Sequence, residues 1–446
     1  MELVKVQFVT RVFPIENSTG GRTYVLDVLK YFKRQGFEIE LVMVDSRPGG
    51  RSPIFIVPAA LLNLFRISFR DNFKVGRALI RLRSVKDLLG VLAGIFFYLI
   101  PETKRGRFVD LCSAALRVLQ PITGRSLGGA NSTAAIKDQL ATPGEKELFE
   151  KRFKEFKPDI IMVYHAWLAG VLDSIPRGDP LLKIIIAHDV IHQRVASAER
   201  LGIAWNYSPW NRSKEAELLQ KADVVLAIQN EDAETFRAMA PNSEVICAPM
   251  SAVPRDSRIS QIPGRCLFVG SNGYNNVQGL RWLLENVWPT IIAALPHCKL
   301  HVCGTVCNEL KGEFAHVELL GRIDNLEQEY SLAELCLIPL QFGSGLKIKL
   351  VEALSYGRAC VTTSIGLQGL SDLRDKAVVV ADSATEFSKA VKMILTDEVR
   401  RRTMEFEARR YVGRYLSPDA VYQPLLNRIH KHMHLRSARN GNEIVL

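Results

Sequence analysis

Apolar runs and polar breaks alternate along the first half of the chain. Residues 4–10 are a short apolar run, and residues 11–21 form a loop ending in Ser18-Thr19-Gly20-Gly21. Tyr24, Val25, Val28, Leu29 and Phe32 then recur at helical spacing until Gly36 stops the helix. Residues 38–44 are the next strand, so the order strand, glycine loop, helix, strand predicts a βαβ unit of a parallel sheet. Further on, residues 160–164 run into His165, residues 183–187 into His188-Asp189, and residues 223–228 form another buried strand. Each ends in polar residues, as expected when a ligand crevice lies at the carboxyl ends of parallel strands.

Pro249, Pro254, Ser257, Ser260, Pro263 and Gly264 cluster in a short span, which places a linker at residues 252–264. A second α/β domain opens with Cys266-Leu267-Phe268-Val269-Gly270 and includes strands at residues 299–303, 336–340, 359–363 and 377–380. Helices between them carry residues 280–284 and 349–354, and residues 405–439 form a basic helical tail. The expected organisation is a first Rossmann-like domain over residues 1–255, a second over 256–410 and a C-terminal helix over 411–446. Within the first, residues 51–145 interrupt the alternation as an insertion.

A length of 446 residues suits two or three domains, and 47% hydrophobic with 24% charged residues excludes a largely disordered chain. Eight scattered Cys exclude a small disulfide scaffold. The net charge of +11 is uneven: residues 51–110 hold eleven basic and four acidic side chains, a net +7. The same stretch contains an uncharged run at residues 88–100, which reaches only about 20 Å as a helix and falls short of a bilayer core. Met1-Glu2-Leu3-Val4-Lys5 leads directly into the first strand, so a cytoplasmic chain without a signal peptide is expected. His297, Cys298, His301, Cys303 and Cys307 lack paired metal-ligand spacing, and no Asp-x-Asp motif is present.

The chemistry concentrates at residues 343–354, reading GSGLKIKLVEAL. Glycines let backbone approach a ligand, the following helix offers free N–H groups, and Lys347 and Lys349 add positive charge. That combination suits a diphosphate, with Glu352 placed to accept hydrogen bonds from two ribose hydroxyls. The plainer alternative is a glycine turn followed by an ordinary amphipathic helix.

Residues 343–369, reading GSGLKIKLVEALSYGRACVTTSIGLQG, resemble the donor-binding segment of family 4 glycosyltransferases, which have the GT-B fold. The resemblance extends to Phe268-Val269-Gly270-Ser271 with Asn275-Asn276, to Trp288-Pro289, to Gly321-Arg322-Ile323 before Tyr330, and to Ile338-Pro339-Leu340. In the first domain it covers Gly20-Gly21, Ala187-His188-Asp189 and residues 222–229. It implies two Rossmann-like domains facing across a cleft, with the last helix returning to the first domain through Tyr411, Tyr415, Tyr422 and Leu426.

By that resemblance Glu352 meets the nucleotide ribose, the amides of Gly345 and Leu346 meet the pyrophosphate or the sugar, and Lys349 or Lys347 neutralises the leaving diphosphate. Arg322 and Ile323 frame the base, Gly20 and Gly21 bring a helix N-terminus to the diphosphate, and Gly270 and Ser271 lie at the phosphate side. His188 matches a histidine that faces the donor sugar. Ser344 departs from the family, which commonly has glutamate there. The implied activity is retaining, metal-independent glycosyl transfer from a nucleotide sugar, with no cofactor. Residues 51–110 lie on the acceptor side, and their basic, apolar character suggests docking on the anionic cytoplasmic face of a membrane to reach a glycan or lipid-linked acceptor. A soluble small molecule or a protein is the other acceptor reading. Competing readings are a GT-B nucleotide-sugar epimerase and a noncatalytic membrane-docked scaffold. No nucleic-acid-binding module is evident.

Overall fold

In the computed structural model, the described residues are 3–14, 20–44, 54–70, 73–81, 139–176, 178–200, 210–256, 259–323, 325–343 and 345–440. The first half builds β1 (Lys5–Thr10), α1 (Gly20–Arg34), β2 (Glu38–Met43), β3 (Ile54–Ile56), α2 (Ala59–Leu64), β4 (Arg66–Phe69), β5 (Phe73–Val75) and β6 (Ala78–Ile80). It continues with α3 (Pro143–Phe156), β7 (Ile160–Tyr164), β8 (Leu182–Ala187), α4 (Ile191–Arg200), α5 (Arg212–Leu219), β9 (Val224–Ala227), α6 (Asn230–Met239) and β10 (Glu244–Cys247). A seven-stranded sheet has the order β10-β9-β8-β7-β1-β2-β4. The pairings of β1 with β2 and β7, of β7 with β8 and of β2 with β4 are parallel. Strands buried on both faces explain the near-continuous apolar runs of the sequence.

The second half builds β11 (Arg265–Val269), α7 (Tyr274–Trp282), α8 (Trp288–Ala294), β12 (Lys299–Cys303), β13 (Val317–Gly321), α9 (Glu327–Leu332) and β14 (Leu335–Ile338). There follow α10 (Ile348–Ser355), β15 (Cys360–Thr362), β16 (Val378–Val380), α11 (Ala384–Thr396), α12 (Glu398–Tyr411) and α13 (Pro418–Asn440). Its sheet is six-stranded, in the order β13-β12-β11-β14-β15-β16 with parallel pairing. Two parallel sheets wrapped by helices are the two Rossmann-like domains that the pattern predicts.

By compactness the chain divides into two units. One comprises residues 1–13, 32–186 and 198–223, and the other residues 14–31, 187–197 and 224–446. In the first unit, Arg11 forms a buried two-point ion pair with Glu145, whose Oε2 also accepts the Thr142 N–H, closing the start of α3. In the second unit, Cys266, Phe268, Leu280, Leu284, Trp288, Leu300, Leu335, Val361, Phe387 and Ile394 form one core between sheet and helices.

Several elements differ from the sequence expectation. Helix α1 begins at Gly20, so Gly20 and Gly21 are its first residues rather than the end of a loop. The described part of the insertion is β-rich: β3, β5 and β6 form a small antiparallel sheet, and β4 joins the large one. The apolar run at residues 88–100 lies outside the described residues. The basic tail is two helices, α12 and α13, separated by a wider turn at Val412–Leu416. Among the described residues no helix is long and apolar enough to cross a membrane.

Candidate functional site

A pocket of about 330 Å³ opens in the second unit. Its floor is apolar, made by β11 and β14 through Leu267, Val269, Leu337 and Ile338, and its polar wall comes from the segment around α10. Leu346, Lys347, Lys349 and Glu352 line it, with Thr23, Ser271, Asn275, Asn276 and Tyr330 completing the rim. The strands end here because parallel sheets present their carboxyl ends together, and each following loop contributes polar atoms at that edge.

The loop before α10 is shaped by Gly345, whose φ of +75° lies in the left-handed region. A Cβ there would stand 3.6 Å from the His188 carbonyl oxygen, ordinary contact, so the glycine serves conformation rather than clearance. Lys347 is the residue before the helix and is almost fully buried. Its Nζ donates to the Gly345 carbonyl at 2.5 Å and to Gln368 Oε1 at 3.1 Å. Burial lowers its pKa to about 8, against the opposing charge of Asp232.

Glu352 lies one turn into α10. Lys349 Nζ reaches both carboxylate oxygens, at 3.1 and 2.8 Å, and the Tyr330 hydroxyl donates to Oε2 at 3.0 Å. About a quarter of the Glu352 side chain stays exposed, facing the pocket. Lone pairs not used by Lys349 and Tyr330 remain for a ligand's hydroxyls.

His188 follows the end of β8, with the Tyr24 ring edge-on at a centroid distance of 4.6 Å. Burial, and secondarily the Arg194 guanidinium, hold its pKa at about 3, so the imidazole is neutral near pH 7. Asp189 pairs with Arg194 at 2.7 Å. Asp232, the acidic group that acts on Lys347, is buried in α6, with Gln229 Nε2 donating to its Oδ1 at 2.9 Å. Asp232 Oδ2 and Gln229 Oε1 are buried with no hydrogen-bond partner among the described residues. Burial raises the Asp232 pKa to about 7; the Gln229 hydrogen bond opposes this, Asp189 and Glu231 add to it, and Lys347 opposes it.

Of the residues singled out from sequence, the pocket wall brings together Ser271, Leu346, Lys347, Lys349 and Glu352, with Gly345 beside His188. Gly270 sits behind the rim, its N–H bonded to the Cys303 carbonyl. Arg322 and Ile323 follow β13 and are not among the residues lining the pocket, and Gly20 and Gly21 precede Thr23 on α1. Ser344 lies outside the described residues. Tyr330 was only a landmark in the sequence, and Asp232, Gln229 and Gln368 were not singled out. Asp232 had a readable signal, since it occupies the apolar stripe of its helix with Phe236 and Met239. Among the described residues no three His, Cys, Asp or Glu side chains converge as metal ligands.

Residues 263–397 match the family model described as glycosyl transferases group 1. A Klebsiella pneumoniae protein named "Uncharacterized 44.6 kDa protein in cps region" is 31% identical over 137 residues, a match spanning 28% of this chain and about a third (35%) of that protein. The fold is similar to that of a sucrose-phosphate synthase from Thermosynechococcus elongatus, with a TM-score of 0.61 at 15% identity over 97% of this chain and all of the other. It is also similar to a pneumococcal O-GlcNAc transferase solved with UDP and GlcNAc, with a TM-score of 0.59 at 11% identity over 97% of this chain and all of the other. The chain thus has a GT-B fold, and the match to glycosyl transferases group 1 covers residues 263–397, the part that supplies nearly all of the pocket lining.

Proposed function

We propose that the chain is a retaining, metal-independent glycosyltransferase that seats a nucleotide-sugar donor in this pocket and passes the sugar to a cell-envelope glycan or lipid-linked acceptor. One observation carries the reading: Lys347, Lys349 and a Glu352 fixed by Tyr330 share one pocket wall inside the family-matched segment. Glycosyl transfer needs positive charge where the nucleoside diphosphate departs, and two lysines beside a helix start supply it. In this reading Glu352 grips the ribose, Gly345 and Leu346 offer backbone amides to the phosphates, and the neutral His188 donates or accepts a hydrogen bond at the sugar. A retaining transfer lets the leaving phosphate take the acceptor's proton, so no protein base is assigned.

The relative from a cps region supports an envelope polysaccharide as the product, and the UDP-bound neighbour makes UDP-sugars the first donors to test. The basic stretch at residues 51–110 supports an acceptor held at an anionic surface. The test is release of nucleoside diphosphate from a panel of UDP-, GDP- and ADP-sugars, with lipid-linked and soluble acceptors. Release that Glu352→Ala abolishes is expected. No release from any donor with any acceptor refutes the proposal, and epimerised or hydrolysed donor without acceptor turns it toward an epimerase.

A further inference from the structure

Glu352 is a long side chain, and gripping a ribose diol requires its carboxylate to be held still before the ligand arrives. Freezing such a side chain costs on the order of 1–2 kcal/mol, which binding must supply unless the protein already has. Here a stack of side chains supplies it. The Tyr330 hydroxyl holds Oε2 at 3.0 Å. The Tyr330 ring lies nearly parallel to that of Tyr356, 10° apart with centroids at 4.9 Å. Arg255 closes the stack: its guanidinium is 5.0 Å from the Tyr356 ring centroid, and Nη1 donates to the Tyr356 hydroxyl at 3.0 Å. The Arg255 backbone N–H also bonds the Ser355 carbonyl at 2.7 Å, at the end of the helix that carries Glu352.

Arg255 belongs to the segment that connects the last strand of the first sheet to the first strand of the second. We infer that Tyr330, Tyr356 and Arg255 are positioning residues that set the Glu352 carboxylate for a nucleotide ribose, so that the connecting segment controls the grip on the donor. The inference rests on the donor reading above. Both tyrosines are buried, whereas Arg255 is exposed apart from its ring contact, so the outer end of the stack responds to the connector's conformation.

The test is calorimetric binding of UDP, GDP and ADP and their 2′-deoxy forms to the full chain. For whichever ribonucleotide binds, Tyr330→Phe should weaken it about fivefold, only part of the worth of a hydrogen bond to a charged group, because Lys349 still holds the carboxylate. The ribose-over-deoxyribose preference should shrink with it, a ratio that a merely structural residue would leave alone. In a Glu352→Gln background the same Tyr330→Phe change should cost less than about twofold, because the group it positions is already altered. Arg255→Met, at an exposed position that leaves the core intact, should weaken binding about two- to threefold, and Arg255→Lys should recover most of the loss. An unchanged ribose preference in Tyr330→Phe, or losses that multiply with Glu352→Gln, overturns the positioning role. Arg255→Met at wild-type affinity overturns the link to the connector. If no nucleoside diphosphate binds, or Glu352→Gln binds as wild type, the donor reading fails and takes this inference with it.

Discussion

Asp232→Asn should make the protein more stable, and by an amount that depends on pH. In the folded protein Asp232 keeps its proton up to about pH 7, chiefly because its carboxyl is buried, with Asp189 and Glu231 adding negative charge nearby. In the unfolded chain it gives the proton up near 3.8. Between those values the folded state binds more protons than the unfolded state, so wild-type stability falls as pH rises through this window and levels off above pH 7. Each pH unit in the window is worth up to about 1.4 kcal/mol. The amide of Asp232→Asn does not titrate, and its own desolvation cost is the same at every pH. Subtraction therefore removes that cost: the stability difference between variant and wild type should grow by roughly 2–3 kcal/mol between pH 5 and pH 8.

Thermal or urea unfolding of both proteins at pH 5, 6, 7 and 8, with matched ionic strength, measures this directly. A difference flat to within about 0.5 kcal/mol across the series refutes the argument, because that is the scatter of substitutions with no special mechanism. A difference that shrinks with pH would mean that Asp232 is ionised and paired in the fold, the opposite of a carboxyl with one unpartnered buried oxygen. The substitution also bears on Lys347, whose pKa Asp232 helps to hold up. Without that charge Lys347 should lose its proton at lower pH, so extra stability should come with weaker diphosphate binding near pH 8.

Wild-type affinity for a nucleoside diphosphate should decline as pH rises through about 8, where Lys347 gives up its charge, and Lys347→Arg should move that decline to higher pH. Binding titrations from pH 6.5 to 9.5 decide it, and a decline that ignores the substitution refutes the assignment. Gly279→Ala should destabilise despite a helix preference of about 1 kcal/mol for alanine, because its Cβ would stand 2.7 Å from the Pro339 carbonyl oxygen. A net loss of roughly 1–3 kcal/mol is expected in unfolding experiments, and a raised Tm would show that α7 moves aside freely. Tyr422→Phe removes a 3.0 Å hydrogen bond to Asp27, which also accepts from Ser251. It should cost about 1–2 kcal/mol and speed hydrogen exchange in α13, whereas unchanged exchange there would mean the helix is held by apolar packing alone.

The strands that build the site were readable because a parallel strand covered on both faces is mostly apolar: β7 is apolar throughout, and β1, β8, β11 and β12 hold one to three polar residues among apolar ones. Strands β10 and β13 were not, because edge strands carry mixed residues: β13 leaves Leu319 and Leu320 more than a third exposed and shows neither an apolar run nor strict alternation. The same distinction governs the site. Lys347, Lys349 and Glu352 could be found because Lys347 immediately precedes the short helix that carries the other two, with a glycine beside it, so spacing alone brings them together. Tyr330 reaches Glu352 from 22 residues away, and Gln229 reaches Gly369 from a different sheet's loop; such meetings are products of strand order, which no local pattern encodes. What local pattern does encode is the misplacement. Asp232 on the apolar stripe of α6 and Lys347 buried just before α10 each violate the rule that charge faces water, and the two groups act on one another electrostatically. Burial pushes the Asp232 carboxyl and the Lys347 amine toward their neutral forms, and the charge of each favours the charged form of the other. In the proposed donor reading, that coupling lets Lys347 stay charged beside a diphosphate without an ion pair that would compete with the ligand.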